Sequence, residues 1–454
     1  MRIKEISVSG LFGIFDHVIP LNIDERITII HGPNGFGKTA MLRILNNLFN
    51  SRYAELRTIP FRKFRVQFDD RTSVEIIKDY ENVRDSKTKN IVFNFYKPDS
   101  TPASFSLKRV NIRSDRNIFI SPASEDVIPD REYIYPLRLM NLSYGRTFSL
   151  EKYEEYLEEL DSLSSSNLKL QEEPDWLKQL KSNIHIRLIE SQRLLNFVPN
   201  RSRQSTETPS MLSTVSAYSD ELAKLMQDKF KEYGTTSQSL DRTFPVRVVK
   251  QQPSTDLTDE QLRHQLNELE ATRSRLIEVG LLDKDEDTEF QIQPQDIDES
   301  TKNALSVYVQ DVENKLNVFA EIASKIDLLR KVINNKFAYS YKEINFSKEK
   351  GFVVTTSYDS PLSNSNTLLP TDLSSGEQHE LVLLYELLFK VQPNSLVLID
   401  EPELSLHVGW QVQFLKDLQD ITQLADLNIL MATHSPDIIQ DRWDLTVELK
   451  GPQK

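Results

Sequence analysis

The residues best suited to chemistry lie in one run, His31-Gly32-Pro33-Asn34-Gly35-Phe36-Gly37-Lys38-Thr39. Glycines at 32, 35 and 37, with Asn34 between them, let the backbone curl until its N–H groups point inward at a phosphate. The positive end of a following helix, opened by Lys38, Thr39 and Ala40, faces the same anion. Lys38 is long enough to reach β- and γ-phosphates, and the Thr39 hydroxyl suits Mg²⁺. Two elements must hold this loop: the apolar run Ile27-Thr28-Ile29-Ile30 before it, and Ala40 to Leu48 after it, apolar at helical spacing. A strand, a complete G-x-x-x-x-G-K-T loop and a helix in that order point to a nucleoside triphosphate rather than to a plain glycine turn.

Three further stretches offer groups that such a site needs. Ser395-Leu396-Val397-Leu398-Ile399 reads as a buried strand ending in Asp400-Glu401-Pro402-Glu403. A carboxylate at such a strand end is where a magnesium ion is held, and a second one can deprotonate the attacking water. Asn428 to Ala432 reads as another buried strand, followed by Thr433-His434. An isolated histidine there is more often structural, but at a nucleotide site it can read the γ-phosphate. Leu373-Ser374-Ser375-Gly376-Glu377-Gln378 precedes an expected amphipathic helix from Leu381 to Val391. Small residues at a helix N-terminus expose bare N–H groups to an anion, although alone this stretch also reads as a simple cap.

The chain has 454 residues, 39% apolar and 27% charged, which predicts a globular protein of two or three structural units. No apolar run approaches the roughly 18 residues that would span a bilayer, and Met1 to Val8 alternates like a strand without a secretory core. There are no cysteines, which excludes disulfides, thiolate metal sites and a cysteine nucleophile and is compatible with the cytoplasm. A net charge of −13 argues against a surface that is a general nucleic-acid sink. It leaves open a local basic patch at Arg52, Arg57, Arg62, Lys63 and Arg65, for which a solvated face is the plainer explanation.

The pattern predicts strands at 3–8, 27–30, 64–68, 74–78 and 91–96, the last three an antiparallel lobe. A helix around 150–162, a strand at 185–189 and a mobile loop from Val198 to Ser210 follow. Three helices come next. The first carries Tyr218, Leu222 and Leu225 and is expected to end at Gly234; the second opens on Thr258-Asp259-Glu260-Gln261, a capping-box spacing, and stops at Gly280. The third is expected to run unbroken from Leu305 to Ile333 as the longest of the set, a rod of roughly 50 Å. These helices form either an arm that pairs with itself or with another copy, or a helical subdomain. The strand pattern returns at Phe352.

The ordered set resembles the ATP-binding-cassette superfamily: phosphate loop 32–39, a glutamine loop at Gln192, a signature at 373–378, carboxylates at 400–401 and a switch histidine at 434. With 338 residues separating Lys38 from Gly376, it is similar to the split heads of structural-maintenance-of-chromosomes, RecF and OLD-type ATPases. Leu188–Leu194, Leu373–Leu381, Ile399–His407 and Ala432–Ile439 are similar to the ATPase subunits of bacterial anti-phage systems, those of PARIS and Septu above all. The resemblance implies an α/β fold, an ABC-ATPase head in N- and C-terminal parts (1–200 and 341–454) with an antiparallel β lobe and an inserted α-helical arm (201–340).

The same resemblance assigns roles. Lys38, Glu401 and His434 would be catalytic, with Glu401 the general base and His434 on the γ-phosphate. Thr39, Gln192 and Asp400 would hold magnesium. Gly32, Asn34, Gly35, Gly37, Lys38, Thr39, Ala40 and Gln192 would bind ATP, and Ser374, Ser375 and Gly376 would complete the ATP site of a second copy. Phe12 or Phe15 would stack on adenine unless it is core. Ser375 stands where the family has a glycine, and His407 where it often has an aspartate. The implied assembly is a homo-oligomer, a head-to-tail dimer with two ATPs between copies and room for a larger ring.

The expected function is an ATP-hydrolysing sensor or scaffold in phage defence, answering a phage-encoded trigger. With 20 residues after His434, no Toprim nuclease domain is expected, so the toxic activity would belong to a separate Toprim- or HNH-type effector. Nucleic acid is an optional partner and no membrane is expected. The alternatives are a RecF-like DNA-repair ATPase and an ATP-locked scaffold with little turnover.

Overall fold

The computed structural model describes residues 1–79, 90–98, 100–107, 139–141, 146–148, 173–190, 195–197, 211–250, 258–284, 298–357 and 366–451. Gln192, the expected helix at 150–162 and the expected loop at 198–210 lie outside the described residues.

The chain opens with β1 (Ile3–Leu11), β2 (Phe15–Pro20), β3 (Ile27–His31), α1 (Lys38–Phe49) and α2 (Tyr53–Thr58). Strands β4 (Lys63–Phe68), β5 (Ser73–Asp79), β6 (Asn90–Tyr96), β7 (Ala103–Leu107), β8 (Leu139–Asn141) and β9 (Arg146–Phe148) follow, then α3 (Asp175–Asn183), β10 (Ile186–Ile189), β11 (Leu195–Phe197) and β12 (Met211–Ser213). The helical segment holds α4 (Thr214–Lys250), α5 (Asp259–Glu278), α6 (Glu299–Asn317) and α7 (Ala320–Phe337). The last part holds β13 (Lys342–Ser347), β14 (Gly351–Thr356), β15 (Thr367–Leu368), α8 (Ser375–Tyr385), β16 (Leu396–Asp400), α9 (Val408–Ala425), β17 (Asn428–Ala432), α10 (Pro436–Ile439) and β18 (Thr446–Glu448).

The chain divides into two compact units, the first of Met1–Leu21, Asn34–Ile184 and Leu449–Lys454, the second of Asn22–Pro33 and His185–Glu448. The first contains the expected antiparallel lobe, a six-stranded sheet in the order β2-β1-β4-β5-β6-β7. Its strands alternate, as in β4, where Phe64, Val66 and Phe68 are buried and Lys63 and Arg65 are not. One face thus builds a core with the aromatic pairs Tyr53–Phe93 and Phe61–Phe64. Three residues of the candidate basic patch are paired: Lys63 with Glu75, Arg65 with Ser73, and Arg57 with the Leu107 carbonyl.

In the second unit a five-stranded sheet runs in the order β10-β16-β17-β3-β18 with every neighbour parallel. Strand β16 is buried at all five positions, as a parallel strand covered on both faces must be.

The helices depart from expectation in three places. Helix α4 does not stop at Gly234; it runs 37 residues through Gly234 and Pro245 and is the longest described helix. A glycine costs about 1 kcal/mol and a proline about 3 kcal/mol inside a helix, and the packing of α4 along α6, with Arg247 paired to Asp311 and Lys315 to Asp241, outweighs both. The expected rod from 305 to 333 is interrupted at Val318–Phe319, where the Phe319 N–H donates to the Leu316 carbonyl at 3.0 Å, three residues back instead of four; the Phe319 ring is buried against Tyr233, 5.2 Å between centroids. Helix α8 is not amphipathic: Leu381 to Tyr385 are all buried where α4 and α7 pack around it. The capping box at Thr258 and Gln261 is as expected, and Gly280 adopts φ +76 just past the end of α5. Since α4 packs on α6 and α6 on α5, the helical segment pairs with itself within the chain.

Candidate functional site

In the first unit, the residues from Asn34 to Ala40 enter α1 through a left-handed Gly37 at φ +91, and the Met41 N–H donates to the Gly37 carbonyl at 2.9 Å. A Cβ at Gly37 would run into the Leu11 side chain, so glycine is required here for space as well as for φ. Lys38 is buried at the first position of the helix. The two aromatic candidates separate cleanly. Phe15 is core, packed on Phe36 at 5.1 Å, whereas Phe12 is half exposed with its ring against Gly37.

A residue that the motif reading passed over also holds this loop. His17 lies on the buried face of β2, and its Nε2 bonds the Phe36 carbonyl at 2.9 Å. Burial lowers its pKa below the usual imidazole value, against the opposing pull of that hydrogen bond and of Asp16. The neutral Nε2–H form therefore donates to the loop. Its signal in the sequence was a histidine at an inward position of an alternating strand.

In the second unit, register does the assembling. Asp400 pairs with Ala432, Ala432 with Ile30, and Ile189 with Ile399, so these strands finish level with one another. The residues just beyond, Glu190, Glu401, Thr433 and Gly32, therefore emerge along one edge, at the carboxyl ends where open α/β sheets hold ligands. Glu401 takes a left-handed backbone, φ +46, at a cost of about 1–3 kcal/mol for a non-glycine residue. This turns its carboxylate toward the next loop, where Oε1 lies 3.6 Å from His434 Nε2. Asp400 remains at the strand end, only 9% exposed. Its hard carboxylate oxygen is a donor of the type a magnesium ion selects.

Ser374 caps α8 by accepting from the Glu377 N–H, and the Glu377 carboxylate accepts from the Ser374 N–H at 2.8 Å. Burial would raise the Glu377 pKa, but hydrogen bonds from Lys342 and Ser340 outweigh it and hold the carboxyl below its ordinary value. The first turn of α8 is thus pinned to the segment that follows α7. A cavity of about 700 Å³ opens there, lined by Ser374, Ser375, Gly376, Leu404, His407 and Trp410 among others. His407, at the position where an aspartate was expected, caps α9 by accepting the Gly409 N–H on Nδ1 at 3.2 Å.

Residues 1–439 match the family model described as AAA ATPase domain. The chain belongs to the AAA ATPase domain family. No curated protein matches it. Among solved structures, this ATPase is similar to the Smc head domain with an extended coiled coil from Pyrococcus furiosus, bound there to the C-terminal domain of ScpA. The identity is 11%, the TM-score 0.33, and the alignment covers 100% of this chain and 94% of that one. It is also similar to the SMC head domain from Thermotoga maritima, at 9% identity and TM-score 0.32, covering 97% of this chain and 92% of that one. Among the described residues of the ATPase, no helix is long and apolar enough to cross a membrane.

Proposed function

We propose that this ATPase binds ATP and magnesium, hydrolyses ATP, and uses the nucleotide to clasp two copies of itself. The observation that carries this reading is the shared edge of the parallel sheet, where Asp400, Glu401 and His434 follow neighbouring strands and Glu401 meets His434 at 3.6 Å. Thr39 and Asp400, with Gln192, would hold the magnesium ion, which when bound neutralises phosphate charge. Glu401 takes the proton of the attacking water on its carboxylate. Lys38 and His434 bind the γ-phosphate, and Phe12, the exposed member of the aromatic pair, stacks on the base. The roles remain those that the cassette resemblance assigns, with Ser374, Ser375 and Gly376 completing the pocket of a second copy from the edge of the 700 Å³ cavity.

In this reading the chain is a sensor or scaffold subunit of a bacterial anti-phage complex. Its ATP-clasped pairs hold a separate nuclease effector and release it on a phage trigger. The four short stretches that resemble anti-phage ATPase subunits support this assignment, and the net charge of −13 favours it over a DNA-repair role. Light scattering tests the clasp. Glu401→Gln with ATP should double the mass, and adding Ser375→Arg should abolish doubling while ATP binding survives. An unchanged mass with ATP bound would overturn the dimer. Phage challenge of cells carrying the chain and its effector tests the role, with protection expected to vanish in Lys38→Ala. Purified chain should hydrolyse ATP without cutting DNA.

A further inference from the structure

The loop after the carboxylates and the loop that carries the histidine are bonded to each other by side chains to which the motifs assign no role. Glu403 accepts the backbone N–H of His434 on Oε1 at 2.6 Å. Its other oxygen, Oε2, is buried and has no hydrogen-bond partner among the described residues. A carboxylate held this way donates nothing and serves one contact, an expensive use of a half-buried charge unless that contact matters. From α9, the buried Gln411 reaches the same two loops. Its Oε1 accepts from the Ser435 hydroxyl at 2.6 Å, and its Nε2 donates to the Leu406 carbonyl at 3.4 Å. The Ser435 N–H in turn donates to Thr433 Oγ1 at 3.0 Å.

We infer that Glu403 and Gln411 are positioning residues: they fix the backbone at His434 to loop 402–407, so the placement of the histidine follows the placement of that loop. The inference rests on the reading that His434 serves hydrolysis. Loop 402–407 has a second connection that gives the arrangement a use. Leu404 and His407 line the cavity that also holds Ser374, Ser375 and Gly376, and Leu404 is 69% exposed. A Cβ on Gly376 would come within 3.4 Å of the Ser405 carbonyl, so loop and signature lie side by side. Whatever fills the cavity presses on the loop to which the histidine is bonded. Occupation of the signature by a second copy is thereby transmitted to His434 through Glu403, without a change in the sheet.

Glu403→Met removes the acceptor at similar length, and Glu403→Gln restores an acceptor without the charge. Steady-state hydrolysis of Glu403→Met should lose kcat by about ten- to a hundredfold with KM for ATP unchanged, the usual scale for removing an outer orienting group. Glu403→Gln should recover most of the loss. In the His434→Ala background, Glu403→Met should change kcat no further, because the group it positions is gone. Multiplying effects in the double variant, or a silent Glu403→Met, would overturn the inference and leave the ATPase reading standing. Glu403→Gln as impaired as Glu403→Met would overturn it too, by showing that the charge itself acts. A His434→Ala enzyme with wild-type kcat would overturn both.

Discussion

Two charged clusters in the second unit show opposite uses of the same residue types. Lys336 on α7 pairs with Glu380 on α8 and Asp417 on α9, with side chains only 1%, 0% and 15% exposed. Glu401 and His434 stand at the end of the sheet with side chains 29% and 30% exposed. In the first cluster burial alone would lower the Lys336 pKa, but the two carboxylates overcome it and hold the ammonium charged. Buried among α7, α8 and α9, these groups tie three helices to one another. The second cluster is open to water. Dry charge specifies geometry, and wet charge is left for chemistry.

The sharpest way to break this contrast is Lys336→Met, which strands two carboxylates among buried helices. Unfolding in urea should show a loss of about 3–5 kcal/mol, largely recovered when Glu380→Leu and Asp417→Leu are added. A loss under about 1 kcal/mol would mean that the cluster is not a lock. Glu401→Gln should behave in the reverse way: single-turnover hydrolysis slower by about 10²–10⁴-fold, the span expected for a general base, with folding stability unchanged. Equal single-turnover rates in wild type and variant would remove Glu401 as the base.

Glu377 lies between the extremes, at the signature yet held by Lys342. Its folded pKa is depressed from the ordinary 4.5, so its contribution is complete above that value and fades as pH falls through the lowered one. Lys342→Met should remove about 1–3 kcal/mol at neutral pH and move the acid limb of the stability profile upward. Urea titrations between neutral and acid pH read this directly. The smallest effect belongs to His17. Its folded pKa is lowered from 6.5, so the unfolded chain takes up a proton that the folded chain refuses, and stability declines as pH drops below 6.5. His17→Phe should flatten that slope.

The phosphate loop, the carboxylate pair, the histidine and the alternating strands of the β lobe were legible in the chain because each is a local pattern: glycine spacing, an apolar run with a polar end, a period of two. The capping box at Thr258 and the stop at Gly280 were legible for the same reason, one turn of backbone and one left-handed residue. Gly234 and Pro245 misled because their cost, a few kcal/mol at most, is local, whereas the packing of α4 against α6 that outweighs it joins residues 64 apart, such as Arg247 and Asp311. The interruption at Phe319 is a change of backbone hydrogen bonding over one turn, which the apolar spacing, with Phe319 itself on the apolar face, does not mark.

By itself, then, the sequence determined which chemical groups this ATPase carries and at which strand ends they appear. Only the tertiary structure decided what holds them: His17 on the phosphate loop, Lys342 on Glu377, Glu403 and Gln411 on the loop of His434. The reason is physical. A strand end or a glycine turn is written in consecutive residues, but a side chain's hydrogen-bond partner is chosen by how elements far apart in the chain come to rest against each other.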